Sequence, residues 1–163
     1  MLDISNVTSI TGSISISIHR LQTSCPRLRI LNAANVTFTP AVCNAASPPV
    51  PGLPLLEELS IPFQENFMVT TYQDVNTDWT LECLTKGAER LTLLDIRGSR
   101  YISPRGLLKL PTWSMRHLSI SNCAKLEDDN LKMVFSKVCL LPELFLICLL
   151  TYLPLSSRSG INH

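Results

Sequence analysis

A leucine recurs along this chain at a spacing that few architectures can use. Leu2, Leu31, Leu59, Leu94, Leu118 and Leu144 are separated by 29, 28, 35, 24 and 26 residues. Their surroundings recur as well. Two residues after each leucine stand Ile4, Ala33, Ile61, Ile96, Ile120 and Leu146, and three residues before stand Leu28, Leu56, Leu91, Met115 and Leu141. Four residues after come Asn6, Asn35, Phe63, Gly98, Asn122 and Cys148. An asparagine there is suited to hydrogen-bonding turn backbone that would otherwise be buried without partners. The stretch "MRHLSISNCAKLEDDNLKMV" shows the unit most plainly: a period of two through Leu118 and Ile120, a turn at Asn122, then a near-helical spacing through Leu126, Leu131 and Val134. One element cannot carry both periods, so each unit is a strand, a turn and a helix.

Helical spacing recurs ahead of the strands. Offsets of −13, −10 and −6 from the strand leucine give Ile18, Leu21 and Cys25, then Leu81, Leu84 and Ala88, then Leu131, Val134 and Val138, each set on one helical face. The unit before Leu118 is out of step and uses Leu107, Leu108 and Leu110, while the interval before Leu59 is a poor helix. Neither a three-residue strand nor a short helix can bury its apolar side alone. Stacking such units lays the strands in a parallel sheet with helices on one face. The expectation is an α/β fold of the leucine-rich-repeat solenoid type, with about five to six repeats, the sheet on the concave face and the helices on the convex face. A doubly wound α/β domain would carry strands apolar on both faces. "LDISN", "LSIPF", "LDIRG" and "LSISN" are instead polar at alternate positions.

Residues 1–148 are therefore expected to form one array, with inserts at about 39–54 and 64–79, and residues 149–163 an irregular tail. The first insert, "TPAVCNAASPPVPGLP", is a proline-rich loop, and the second accounts for the longest step. Tyr72 and Trp79 fall in it as candidate contact or packing aromatics. "LLPELFLICLLTYLPL", residues 140–155, fits a sixth strand with Leu141, Leu144 and Leu146 in register, and Pro142, Glu143 and Pro154 speak against a membrane span. Nothing caps the edge at Met1, so a fragment of a longer array, or a truncated product, is expected.

"SCPRLRILNAANV" and "MRHLSISNCAKLEDDNL" resemble the cysteine-containing repeats of the F-box/leucine-rich-repeat proteins. Cys25-Pro26 matches the start of that pattern, and Leu118, Ile120, Asn122, Cys123, Leu126, Asp128 and Leu131 match the rest; Ser99 stands where another cysteine would. The resemblance implies the substrate-recognition region of an SCF-type E3 ubiquitin ligase, with a protein substrate held on the concave face. Partnership with the Skp1 adaptor and cullin is expected only if an F-box lies upstream in the full protein. The alternative is a leucine-rich scaffold unrelated to ubiquitination.

Of the 163 residues 45% are hydrophobic and 17% charged, with a net charge of +1 and no basic run, so nucleic acid is not an expected partner. The start lacks a signal peptide pattern, and cytoplasmic or nuclear location with free thiols is expected. The six cysteines, Cys25, Cys43, Cys83, Cys123, Cys139 and Cys148, contain no CxxC pair. The glycosylation triplets at Asn6 and Asn35 are read as incidental. No phosphate loop, HExxH or GxSxG occurs. His19, His117 and His163 have no converging nucleophile, Cys123 is a packing position, and Glu127, Asp128 and Asp129 read as a helix start. No catalytic, cofactor-binding or metal-ligating residue is assigned, and the chain is read as a non-enzyme. The candidate protein-binding residues are those facing away from the leucine row: Asn32, Glu58, Ser60, Asp95, Arg97, His117 and Ser119, with Arg97 an anchor for an acidic partner segment.

Overall fold

Leu31, Leu59, Leu94 and Leu118 are each the middle residue of a three-residue strand. The computed structural model describes residues 1–9, 12–13, 15–39, 52–63, 76–111 and 113–126. In chain order these form β1 (Leu2–Asp3), β2 (Thr8–Ser9), β3 (Gly12–Ser13), β4 (Ser15–Ser17), α1 (Ile18–Ser24), β5 (Ile30–Asn32), β6 (Thr37–Thr39), β7 (Glu58–Ser60), α2 (Asp78–Thr85), β8 (Leu93–Asp95), α3 (Pro104–Leu108) and β9 (His117–Ser119). The described chain is α/β with a five-stranded parallel sheet, in the order β1-β5-β7-β8-β9.

Register follows the leucines. Leu2 pairs with Leu31, Leu31 with Leu59, Leu59 with Leu94 and Leu94 with Leu118. A slip of one residue would turn every leucine to the opposite face. Leu31, Leu59, Leu94 and Leu118 are at most 2% exposed, and Ala33, Ile61, Ile96 and Ile120 are buried beside them. They share one apolar core with Ile18 and Leu21 of α1, Leu81 and Leu84 of α2, and Leu107 of α3. At about 25 cal/mol per Å² of apolar surface removed from water, this common core is the dominant stabilising term.

The ladder extends past the assigned strands. Ile4, Ala33, Ile61 and Ile96 donate backbone N–H groups to Asn32, Ser60, Asp95 and Ser119 at 2.8–3.0 Å. The backbone before the strands also follows one pattern: Leu28, Leu56 and Leu91 donate to the carbonyls of Cys25, Leu53 and Ala88 at 3.0–3.1 Å. Cys25 and Ala88 therefore close turns after α1 and α2 and are not the third members of helical faces that their spacing suggested. At the strand exits Asn6, Asn35 and Asn122 have φ of 56°, 60° and 58°, and Gly98 has φ of 75°. This left-handed backbone is open at low cost only to Gly and, less freely, Asn. Asn35 Nδ2 also donates to Asn6 Oδ1 at 2.7 Å, linking two of these turns.

The helices have local causes. Ser17 Oγ accepts from Arg20 N at the start of α1, Thr80 Oγ1 accepts from Thr77 N at the start of α2, and Pro104 occupies the first turn of α3. The second insert was expected to run to residue 79, but α2 already begins at Asp78 and carries Trp79, 37% exposed, on its surface. Asp78 then reaches the next helix: Ser103 donates its backbone N–H to Oδ1 and its hydroxyl to Oδ2, both at 2.6 Å. Gly106 packs so closely on Asp78 that a Cβ would overlap the carboxylate.

A second, smaller parallel ribbon was not anticipated. β4 pairs with β6, and Asn76 extends that ribbon with its side-chain amide, accepting from Phe38 N at 3.2 Å and donating to Val36 O at 3.0 Å. Beyond it, Thr77 bridges Tyr101. β2 and β3 form an antiparallel hairpin. Among the described residues no helix is long and apolar enough to cross a membrane. The sixth strand at Leu144, the helix at Leu131–Val138, most of both inserts, Tyr72, Glu127–Asp129, His163, Cys43, Cys139 and Cys148 lie outside the described residues.

Candidate functional site

Because strand side chains alternate, the residues flanking each buried leucine emerge on the opposite face of the sheet. Register places them in rows. Ile30, Glu58, Leu93 and His117 are neighbours in one row, and Asp3, Asn32, Ser60, Asp95 and Ser119 in the next. Two residues beyond this second row, toward the strand exits, Ser5, Ala34, Pro62, Arg97 and Ser121 continue the same face. All seven residues expected at a binding surface thus belong to four adjacent strands, β5, β7, β8 and β9, or the backbone just after them.

The floor of this face is small and polar. Asn32, Ser60 and Ser119 are half-buried, and Ala34, Pro62 and Ser121 add little height. Glu58 is half-buried, whereas His117 and Arg97 are exposed.

Asp95 departs from expectation. It lies on the face turned away from the leucine row, where exposure is expected, yet it is buried at 8% exposure. The physical reason is Arg97, two residues along and on the same face. Arg97 donates Nε to Oδ1 at 2.9 Å and Nη2 to Oδ2 at 2.8 Å, and its backbone N–H also bonds Oδ1 at 3.2 Å. Ser60 Oγ adds a longer bond to Oδ2 at 3.4 Å. The guanidinium lies over the carboxylate, with its side chain 56% exposed and that of Asp95 11% exposed. The Asp95 hydrogen bonds and charge raise the Arg97 pKa above its ordinary value, so the guanidinium stays charged at any working pH.

No known family, curated protein or solved structure matches the chain.

The same local device recurs at the sheet edge. Asp3 Oδ1 accepts from Ser5 N at 3.0 Å, and Ser5 Oγ accepts from Ala34 N at 3.2 Å. These contacts, led by the Ser5 backbone N–H and followed by the Ser5 hydroxyl, hold the Asp3 carboxyl below its usual range. Sequence reasoning placed Asp3 and Asp95 in one row but missed that each carboxylate folds onto its own strand. The available signal was spacing: residues two apart on a strand share a face.

Cys123 is 9% exposed and its Sγ donates to Ile96 O at 3.2 Å. Burial pushes its thiol up to about 11, far from the thiolate a nucleophile needs. Cys25, Cys83 and Cys123 are free thiols, and among the described residues no group of three His, Cys, Asp or Glu side chains could hold a metal ion. Outside the face, Arg29 pairs with Glu57 at 2.7 Å and Lys109 with Glu82 at 2.6 Å, both solvated surface pairs of small energetic weight.

Proposed function

We propose that the chain is a run of leucine-rich repeats whose polar sheet face binds a protein, as the substrate-recognition arm of an F-box/leucine-rich-repeat ubiquitin ligase subunit does. The observation that carries this proposal is the single row Leu2, Leu31, Leu59, Leu94 and Leu118 across a parallel sheet. The left-handed turns at Asn6, Asn35, Gly98 and Asn122 lie at a constant offset after four of those leucines. A stack in which each unit touches only its neighbours leaves one long sheet face uncovered, and that face is where such proteins carry function. On this proposal the face is concave, the units continue through Leu144, and the protein works in the cytoplasm or nucleus.

Expression of the full-length gene product with an affinity tag tests the ligase assignment. Stoichiometric co-purification of Skp1 and cullin supports it. Their absence, together with protein binding that is lost when Ser119 or Ala34 is enlarged to Tyr, moves the chain to the scaffold alternative. Binding unaffected by those substitutions removes the docking face from both.

A further inference from the structure

We infer that the sheet face, taken as the docking surface proposed above, accepts a lysine- or arginine-bearing extended segment of a protein partner, with its cation on Glu58 between Ile30 and Leu93. Register sets these three residues side by side on β5, β7 and β8, adjacent strands being about 4.8 Å apart. All three are half-buried. A carboxylate between two aliphatic side chains matches a long cationic side chain, which has an apolar stem and a charged head. The stem covers Ile30 and Leu93, and the head meets Glu58.

The charge on the face points the same way. Glu58 forms no ion pair among the described residues. The nearby guanidinium of Arg29 is taken by Glu57 at 2.7 Å, and that of Arg97 by Asp95 through two bonds. Asp3, further along the face, is held by hydrogen bonds to Ser5 and pairs with no cation among the described residues. The uncompensated carboxylates among these groups are Glu58 and Asp3, so an acidic segment anchored on Arg97 would meet a cation already neutralised by Asp95 and approach two further negative charges. A cationic segment meets neither obstacle. The low floor at Ala34, Ser60 and Ser119 leaves room for extended backbone above the sheet.

Selection of a phage-displayed library of random 12-residue peptides on the full chain tests the assignment. Enrichment of peptides with a shared Lys or Arg is expected. Glu58→Gln, nearly isosteric and neutral, should weaken a synthetic winner roughly tenfold. Glu58→Lys should abolish binding, and both variants should keep the wild-type thermal transition. Enrichment of acidic peptides, absence of a shared cation, or winners that bind Glu58→Gln as tightly as wild type would overturn it. Ala34→Tyr separates the two levels. Winners blocked by Ala34→Tyr but indifferent to Glu58→Gln leave the docking face standing without its cation preference, whereas winners indifferent to both remove the docking face itself.

Discussion

Gly98→Ala is the substitution whose cost the geometry defines best. Gly98 leaves β8 with φ of 75°, its N–H donates to Ser121 O at 2.9 Å, and on its other side Phe63 N donates to Arg97 O at 2.8 Å. A methyl group would meet two separate penalties. Left-handed backbone costs an L-residue about 1–2 kcal/mol. The new Cβ would also overlap the Phe63 carbonyl oxygen, which is backbone and cannot rotate away. Overpacking of this kind costs about 1–3 kcal/mol as the neighbouring strand shifts. Together the two predict a loss of about 2–5 kcal/mol, or roughly 4–20 °C in Tm for a chain of this size. Asparagine separates the contributions, since Asn6, Asn35 and Asn122 already adopt this φ in the corresponding turns. Gly98→Asn should recover most of the backbone part and keep the overlap, leaving a loss of about 1–3 kcal/mol. Asn122→Gly should cost no more than about 1 kcal/mol. Urea denaturation followed by far-UV circular dichroism measures all three. A Gly98→Ala protein within about 1 kcal/mol of wild type, or a Gly98→Asn protein equal to it, would refute the close contact with Phe63.

Other consequences are simpler to state. Asp78→Ala removes both bonds to Ser103 and should destabilise by about 1–3 kcal/mol, with a coupling energy to Ser103→Ala, which removes only the hydroxyl bond, of about 1 kcal/mol; strict additivity in the double-mutant cycle would show that the hydroxyl half of the α2–α3 clasp contributes nothing. Ser99 is 3% exposed and its hydroxyl has no hydrogen-bond partner among the described residues, so Ser99→Ala should be neutral or stabilising by up to about 2 kcal/mol, and a clear loss in the same urea assay would contradict that. Cys123, with its thiol raised from 9.0 to about 11, should alkylate with iodoacetamide at pH 8 far more slowly than half-buried Cys25, as read by peptide mass spectrometry. The fold favours the protonated thiol, so this contribution to stability is complete below about pH 9 and is lost as pH rises toward 11.

Much of the sheet was legible because strand pattern and burial are local. A leucine flanked by polar residues, with an apolar partner two positions on, has one face to bury, and that decides the register of Leu31, Leu59, Leu94 and Leu118. The asparagine column was noticed for its side chains, although its common property is a backbone conformation that Gly98 shares. The helical spacing ran too far: Cys25 and Ala88 sit at the right interval, but their carbonyls are used by the turns that lead into β5 and β8. Asp95 was assigned to solvent because alternation says which face a side chain takes and not whether a neighbour such as Arg97 will cover it. The Asp78–Ser103 clasp and the ribbon of β4, β6 and Asn76 depend on residues more than twenty positions apart, and no periodicity signals such pairs.

Cross-strand disulfide mapping tests the leucine-row register most directly. Asn32 and Ser60 are paired on adjacent strands, while Ser60 and Ser119 are separated by β8. Adjacent strands place Cα atoms at about 4.8 Å, within the span a disulfide bridges, and strands two apart at roughly twice that, beyond it. Mild oxidation of the Asn32→Cys/Ser60→Cys protein should give a cross-linked peptide by mass spectrometry, and the Ser60→Cys/Ser119→Cys protein should give none. A bridge in the second protein and none in the first would contradict the order and register of the sheet, and with them the binding face built on it.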